Sequence, residues 1–86
     1  MTMENHIDPL TERAGFFLVA ATLLLTKMPA PQVVEEFIVI LKTPRWFAVR
    51  LVEVAQSGHD SEAEQQEYIQ DFARAESEMA SAEVSA

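Results

Sequence analysis

The sequence contains no cysteine and has two glycines and two histidines among its 86 residues. Without cysteine, the chain can form neither a disulfide bond nor a thiolate metal site. Two isolated glycines cannot build a glycine-rich phosphate-binding loop. The lack of cysteine is compatible with the cytoplasm, which is the localisation that we expect.

Basic residues are also scarce, and their shortage is uneven. Six lysines and arginines stand against 14 aspartates and glutamates, which gives a net charge of −8. Residues 1–58 are nearly balanced, with six acids and five bases, whereas residues 59–86 hold eight acids and one base. An acidic chain repels nucleic-acid phosphates and anionic membrane surfaces. We therefore expect another protein, with a basic or apolar surface, as the partner and no direct nucleic-acid contact.

The longest apolar run, AGFFLVAATLLL at residues 14–25, is too short to span a membrane. A spanning helix needs about 20 apolar residues, and shorter runs form core helices or signal-peptide cores. A signal peptide would begin with a basic segment, yet Glu4, Asp8 and Glu12 precede the run against Arg13 alone. The run therefore predicts a buried helix and no membrane span.

Capping signals define this first helix. Asp8 can cap it and Pro9 suits the first helical position, so we predict a helix from Pro9 to Met28, ended by Pro29. A helix that is apolar all round must be covered on nearly every side. Gly15 leaves room for the close approach of another helix.

Residues 31–43, PQVVEEFIVILKT, fit two structures. Their valines and isoleucines favour a strand. Pro31 and the acidic pair Glu35 and Glu36 favour the start of a helix. We predict a helix and keep the strand as the alternative. The apolar residues at helical spacing are Val34, Phe37, Ile38 and Leu41.

Two more helices follow. Thr43 can cap a helix over residues 44–56 that Gly58 stops. Ser61 and Glu64 match a capping box for a helix from Glu62 to Met79 that lies on the surface of the other three. The inner stripes are Phe47, Ala48, Leu51, Val52 and Ala55 in the third helix and Tyr68, Ile69, Phe72, Ala75 and Met79 in the fourth.

These segments predict an all-α protein, a compact bundle of about four helices that dimerisation could complete. A chain of this size is marginally stable on its own. The expected organisation is a flexible arm at 1–7, one helical domain at 8–80 and a disordered tail at 81–86. Within the domain, residues 8–58 form an apolar three-helix core and residues 59–80 an acidic helix.

Catalytic and metal-binding patterns are weak. His59 lies beside Ser57 and Asp60, but neighbours in sequence rarely converge on one reacting atom as a catalytic triad does. His59, Asp60, Glu62 and Glu64 lack the spacing of a zinc or calcium site. We therefore expect no enzyme, metal or cofactor, with an enzyme that uses His59 as a remote alternative.

Two features point to a partner-binding surface. The first is an apolar surplus around Trp46, because so small a domain has difficulty burying seven aromatic side chains; the alternative is that Trp46 covers the core. The second is the acidic helix, either a recognition surface or a solvated face. The predicted binding residues are Arg45, Trp46, Phe47, Arg50, Glu64, Glu67 and Asp71.

The leading functional hypothesis is a non-enzymatic protein-binding module that occludes or modulates its partner, as inhibitors, immunity proteins and phage-encoded modulators do. One alternative is a nucleic-acid mimic whose acids block a DNA- or RNA-binding protein. Another is an assembly protein that associates with itself, and a homodimer is the expected oligomer. The fold supplies only a prior among these functions.

Overall fold

A computed structural model describes residues 8–58 and 61–85, and in these residues it contains four α-helices and no strand. The predicted all-α bundle is confirmed, and residues 31–41 of the ambiguous segment are helical rather than extended. The arm at 1–7, together with His59 and Asp60, lies outside the described residues. The helices are α1 (Pro9–Leu25), α2 (Ala30–Leu41), α3 (Arg45–Ser57) and α4 (Glu62–Ser85).

Helix α1 begins as predicted and ends earlier than predicted. The Asp8 carboxylate accepts a hydrogen bond from the Thr11 amide at 3.3 Å, and Pro9 is the first helical residue. The helix ends at Leu25 instead of Met28. Its winding tightens there, since the amides of Lys27 and Met28 both donate to the Leu24 carbonyl, at 2.9 and 3.0 Å.

The connection from α2 to α3 corrects the predicted cap. Lys42 takes a left-handed conformation (φ +62°), and the Thr43 amide donates to the Phe37 carbonyl at 3.3 Å. The Thr43 side chain is 3% exposed, and its hydroxyl has no hydrogen-bond partner among the described residues. Thr43 therefore does not cap α3; Pro44 precedes the helix, which starts at Arg45.

The end of α3 and the start of α4 lie where the sequence predicts them, whereas α4 ends later than predicted. Gly58 ends α3 at φ +87°, a conformation that glycine adopts without steric cost. The Ser61 hydroxyl accepts a hydrogen bond from the Glu64 amide at 3.1 Å and so caps α4. The helix passes Met79 and continues to Ser85, although we expected a disordered tail. No glycine or proline follows Met79 to stop it.

Helix α3 is central and packs against the other three helices. Phe47 on α3 is fully buried, and its ring lies 6.0 Å from Tyr68 and 5.7 Å from Phe72 of α4. Phe17 of α1 joins this cluster, with its ring 5.0 Å from Phe72 and 6.0 Å from Phe37. The aromatic rings thus connect all four helices, and α4 contributes Tyr68, Phe72 and Ala75 to the core.

Tyr68 carries the polar contact at the centre of this core. Its hydroxyl is buried and donates a hydrogen bond of 2.6 Å to the carbonyl of Ala14 on α1. Burial raises the pKa of the Tyr68 hydroxyl well above its ordinary value, because the charged phenolate would lose its hydration. The bond satisfies the buried hydroxyl and fixes α4 against α1.

This pKa shift predicts alkaline sensitivity. Because the pKa of Tyr68 is higher in the folded than in the unfolded state, its contribution to stability is complete below about pH 10 and is lost as pH rises above that value. We expect Tyr68→Phe to lower the free energy of unfolding by about 1 kcal/mol at neutral pH. Above pH 10 this difference should shrink. Denaturation at several pH values tests both points, and tyrosinate absorbance reads the chain's single tyrosine directly.

Gly15 offers a test of helix α1 itself. The expected close approach of another helix is not seen among the described residues, because a β-carbon built on Gly15 meets no atom within 4 Å. Gly15→Ala should therefore raise the free energy of unfolding by roughly 0.5–1 kcal/mol through helix propensity. Denaturant unfolding measures the change, and a destabilised variant would contradict the prediction.

Candidate interaction surface

Most of the predicted binding residues meet one another where α3 packs on α4. The Arg50 guanidinium lies 3.2 Å from the Asp71 carboxylate and 3.6 Å from that of Glu67. The Trp46 indole N–H donates to Glu78 at 3.0 Å. We call this contact the α3–α4 seam; its residues are Trp46, Arg50, Glu67, Asp71, Arg74 and Glu78.

The Trp46 ring is enclosed within this seam. The Arg74 guanidinium lies 5.0 Å from the centre of the Trp46 ring, at cation–π distance, and 3.5 Å from the Glu78 carboxylate. On its other side, the Trp46 ring stands edge-on to Phe47 at 5.8 Å. Trp46 is therefore half-buried between core and acidic helix, and its polar and apolar contacts stay within the chain.

The remaining predicted residues lie outside the α3–α4 seam. Phe47 is 0% exposed, so its assignment as a partner-contacting residue is corrected: it is the centre of the core. Arg45 pairs with Glu35 of α2 at 3.0 Å. Glu64 is exposed in the first turn of α4, where a carboxylate complements the helix dipole.

Ion pairs bind the acidic helix to the rest of the bundle. Arg13 of α1 makes a bidentate contact with Glu76 of α4, at 2.7 and 2.8 Å. The hydrogen bonds and charge of Arg13 lower the pKa of the Glu76 carboxyl group, and Glu76 likewise raises the pKa of Arg13. Together with Arg50, this pair places positive charge on both α1 and α3 against α4.

Another surface is left open on α1. Phe16, Val19 and Leu23 are 69%, 58% and 60% exposed, and they lie at helical spacing on one side. We call these three side chains the open face. The expectation that α1 is covered on nearly every side is therefore wrong. Its buried residues, Ala14, Leu18 and Ala21, occupy the opposite side, and no other described residue covers Phe16, Val19 and Leu23.

A shallow apolar groove adjoins the open face between α1 and α2. It encloses about 200 Å³, and Ile40 on its α2 wall is 65% exposed. Ala20 lies one helical turn after Phe16 and one turn before Leu23, so the groove and the open face are continuous. We call it the side groove; its lining residues are Ala20, Leu24, Glu36, Phe37, Ile40 and Leu41.

Opposite charges mark the two ends of the open face. Glu12 lies one helical turn before Phe16, and Lys27 lies one turn after Leu23, where the chain still winds helically. Both are exposed, and neither forms a side-chain ion pair with another described residue. The face is thus an apolar stripe with a negative and a positive end.

The aromatic surplus predicted from the sequence exists, but at a different place. Phe37, Phe47, Tyr68 and Phe72 are buried, and Phe17 and Trp46 are half-buried. The exposed aromatic side chain is Phe16, which sequence reasoning did not single out as a binding residue. The spacing of Phe16, Val19 and Leu23 within the apolar run was the available signal.

Within 8–58 and 61–85, no three histidine or acidic side chains come together as a metal site. In the same residues, no helix has the length and apolar content needed to cross a bilayer. No protein-family model, curated protein or solved structure matches this chain.

The Arg13–Glu76 pair predicts acid sensitivity. Because the folded state lowers the pKa of Glu76, its contribution to stability is present above about pH 4.3, the unfolded value, and disappears as pH falls through the folded pKa. Glu76→Gln should therefore destabilise the protein at neutral pH, and the difference from the parent should close below pH 4. Urea unfolding at neutral pH and below pH 4 measures this difference in stability, with Glu53→Gln as a control outside this pair. A constant difference would contradict the pairing.

Proposed function

We propose that this protein is a non-enzymatic protein-binding module of the cytoplasm that acts by covering an apolar surface of its partner with the open face of α1. The observation that carries the proposal is the exposure of Phe16, Val19 and Leu23 in a continuous stripe. Exposed apolar residues are common singly, whereas a stripe joined to a groove is typical of an interaction site.

The energetics support binding through this face. Full burial of one large apolar side chain contributes roughly 1.5–3 kcal/mol, and each of the three side chains retains more than half of its surface. Phe16 lies on a helix whose other side is fixed in the core. Little backbone freedom is therefore lost on binding, which reduces the entropic cost.

The acidic helix supports this reading over a nucleic-acid mimic. A mimic needs acids that project freely in the manner of phosphates. Glu67, Asp71, Glu76 and Glu78 instead contact cations or the Trp46 indole of the same chain. The charge of α4 thus serves chiefly to fasten the helix, and its outward acids leave that side solvated.

Site-specific photocross-linking in the native cell extract tests the proposal. A photoreactive residue at Leu23 should form a discrete protein adduct, and the same residue at Gln70, exposed on α4, should not. Phe16→Ser should remove the adduct because it takes away a neighbouring apolar contact, whereas Gln66→Ser should leave it in place. Equal adducts at both positions, or an adduct that survives Phe16→Ser, would rule out the open face.

A further inference from the structure

The charged ends of the open face select among the surfaces that could cover it. Glu12 and Lys27 are 15 positions apart, about 22 Å along a helix, with Phe16, Val19 and Leu23 between them. A partner helix that satisfies both ends needs a positive charge near one end, a negative charge near the other and apolar side chains between. The open face itself has this pattern when it is read in the opposite direction.

We infer that the open face binds a second copy of this chain, with the two α1 helices antiparallel about a two-fold axis between Val19 and Ala20. The inference rests on the proposed function and names its partner. In this register, Phe16 of one copy lies opposite Leu23 of the other. The same axis brings Glu12 of each copy to Lys27 of the other, because positions 12 and 27 have the same midpoint, 19.5, as positions 16 and 23.

The alternatives for self-association are disfavoured by the same charges. A parallel pair would place Glu12 against Glu12 and Lys27 against Lys27, and like charges repel. A shift of one helical turn in the antiparallel pair would separate the opposite charges and move Phe16 away from Leu23. An isologous two-fold contact is also the commonest way in which identical chains associate.

The side groove fits this arrangement. Leu23 lies one helical turn from Ala20, which lines the α1 wall of the groove, and Ile40 forms the opposite wall. Phe16 of the second copy, placed opposite Leu23, reaches the mouth of this groove. The small side chain of Ala20 near the axis lets the two helices approach closely. The aromatic ring that the bundle leaves outside its core thereby gains an apolar site.

The expected dimer is one that dilution can dissociate. A contact between single helices buries less than the roughly 800 Å² per partner of a standard interface, even with Ile40 added. Light scattering and sedimentation over a wide range of concentrations should therefore show a monomer–dimer equilibrium. The shift with concentration gives the dissociation constant that the variants below change.

A charge swap tests both the partner and the orientation. Glu12→Lys and Lys27→Glu should each weaken the dimer roughly tenfold, because each turns two attractions into two repulsions. The double variant Glu12→Lys/Lys27→Glu should restore the parent dissociation constant to within about threefold. Glu53→Lys, an equal charge change on α3, should leave dimerisation unchanged. Circular dichroism checks that every variant remains helical.

A second variant addresses the apolar contact. Val19→Glu places two carboxylates beside the two-fold axis and should abolish the dimer, while the exposure of Val19 leaves the monomer folded. If the parent protein is a monomer at every concentration, the inference is overturned. It is also overturned if the double variant Glu12→Lys/Lys27→Glu does not restore the dimer. A foreign adduct at Leu23 with a monomeric protein overturns self-association and leaves the proposed function standing. A protein that is monomeric at every concentration and also gives no adduct at Leu23 overturns both the inference and the proposed function.

Discussion

A helix that is apolar on every side can be covered only if its neighbours reach every side, and this constraint governs the bundle. In the described residues, α1 has three neighbours. Helix α3 packs along α1, α4 contacts the first half of α1 at Arg13 and Ala14, and α2 contacts the second half. Phe16, Val19 and Leu23 remain uncovered. The exposed stripe is therefore a geometric consequence of how three short helices surround a fourth.

The charged side chains of the chain have a structural role in the fold. Each of the four arginines pairs with a carboxylate, and those of α1 and α3 at positions 13 and 50 hold α4 in place. Exposed ion pairs contribute little singly, so the buried rings of Tyr68 and Phe72 supply most of the attachment. The ion pairs fix the register of α4 on the core, which explains why an acidic helix can lie on an apolar one.

Local signals in the sequence predicted the helices well. The capping signals act within one helical turn, so they can be recognised from neighbouring residues in the sequence. They are Asp8 with Pro9, Ser61 with Glu64, and Gly58. The helical spacing of Tyr68 and Phe72 likewise predicted which side of α4 faces the core. Helix ends that depend on packing were less accessible: the Thr43 side chain is buried rather than free to cap α3.

The proposed binding surface could not be predicted in the same way, because which face stays exposed depends on contacts between distant residues. Arg13 pairs with Glu76 across 63 positions, and Tyr68 bonds to Ala14 across 54. Periodicity shows which residues share a face, but the approach of other helices decides which face is covered. The sequence left open whether Trp46 covers the core or contacts a partner, because the partners of Trp46 and Arg50 on α4 could not be assigned from it.

Under the proposed function, helix α1 carries two tasks on neighbouring residues. Phe17, Leu18 and Ala21 face the bundle, and a change there alters the core on which stability depends. Phe16, Val19 and Leu23 face outward, so their apolar character adds nothing that the fold of one copy needs. An apolar side chain at these positions exposes apolar surface to water unless another surface covers it. The uninterrupted apolar run is thus explained when one side holds the fold together and the other side associates, with charge confined to the two ends.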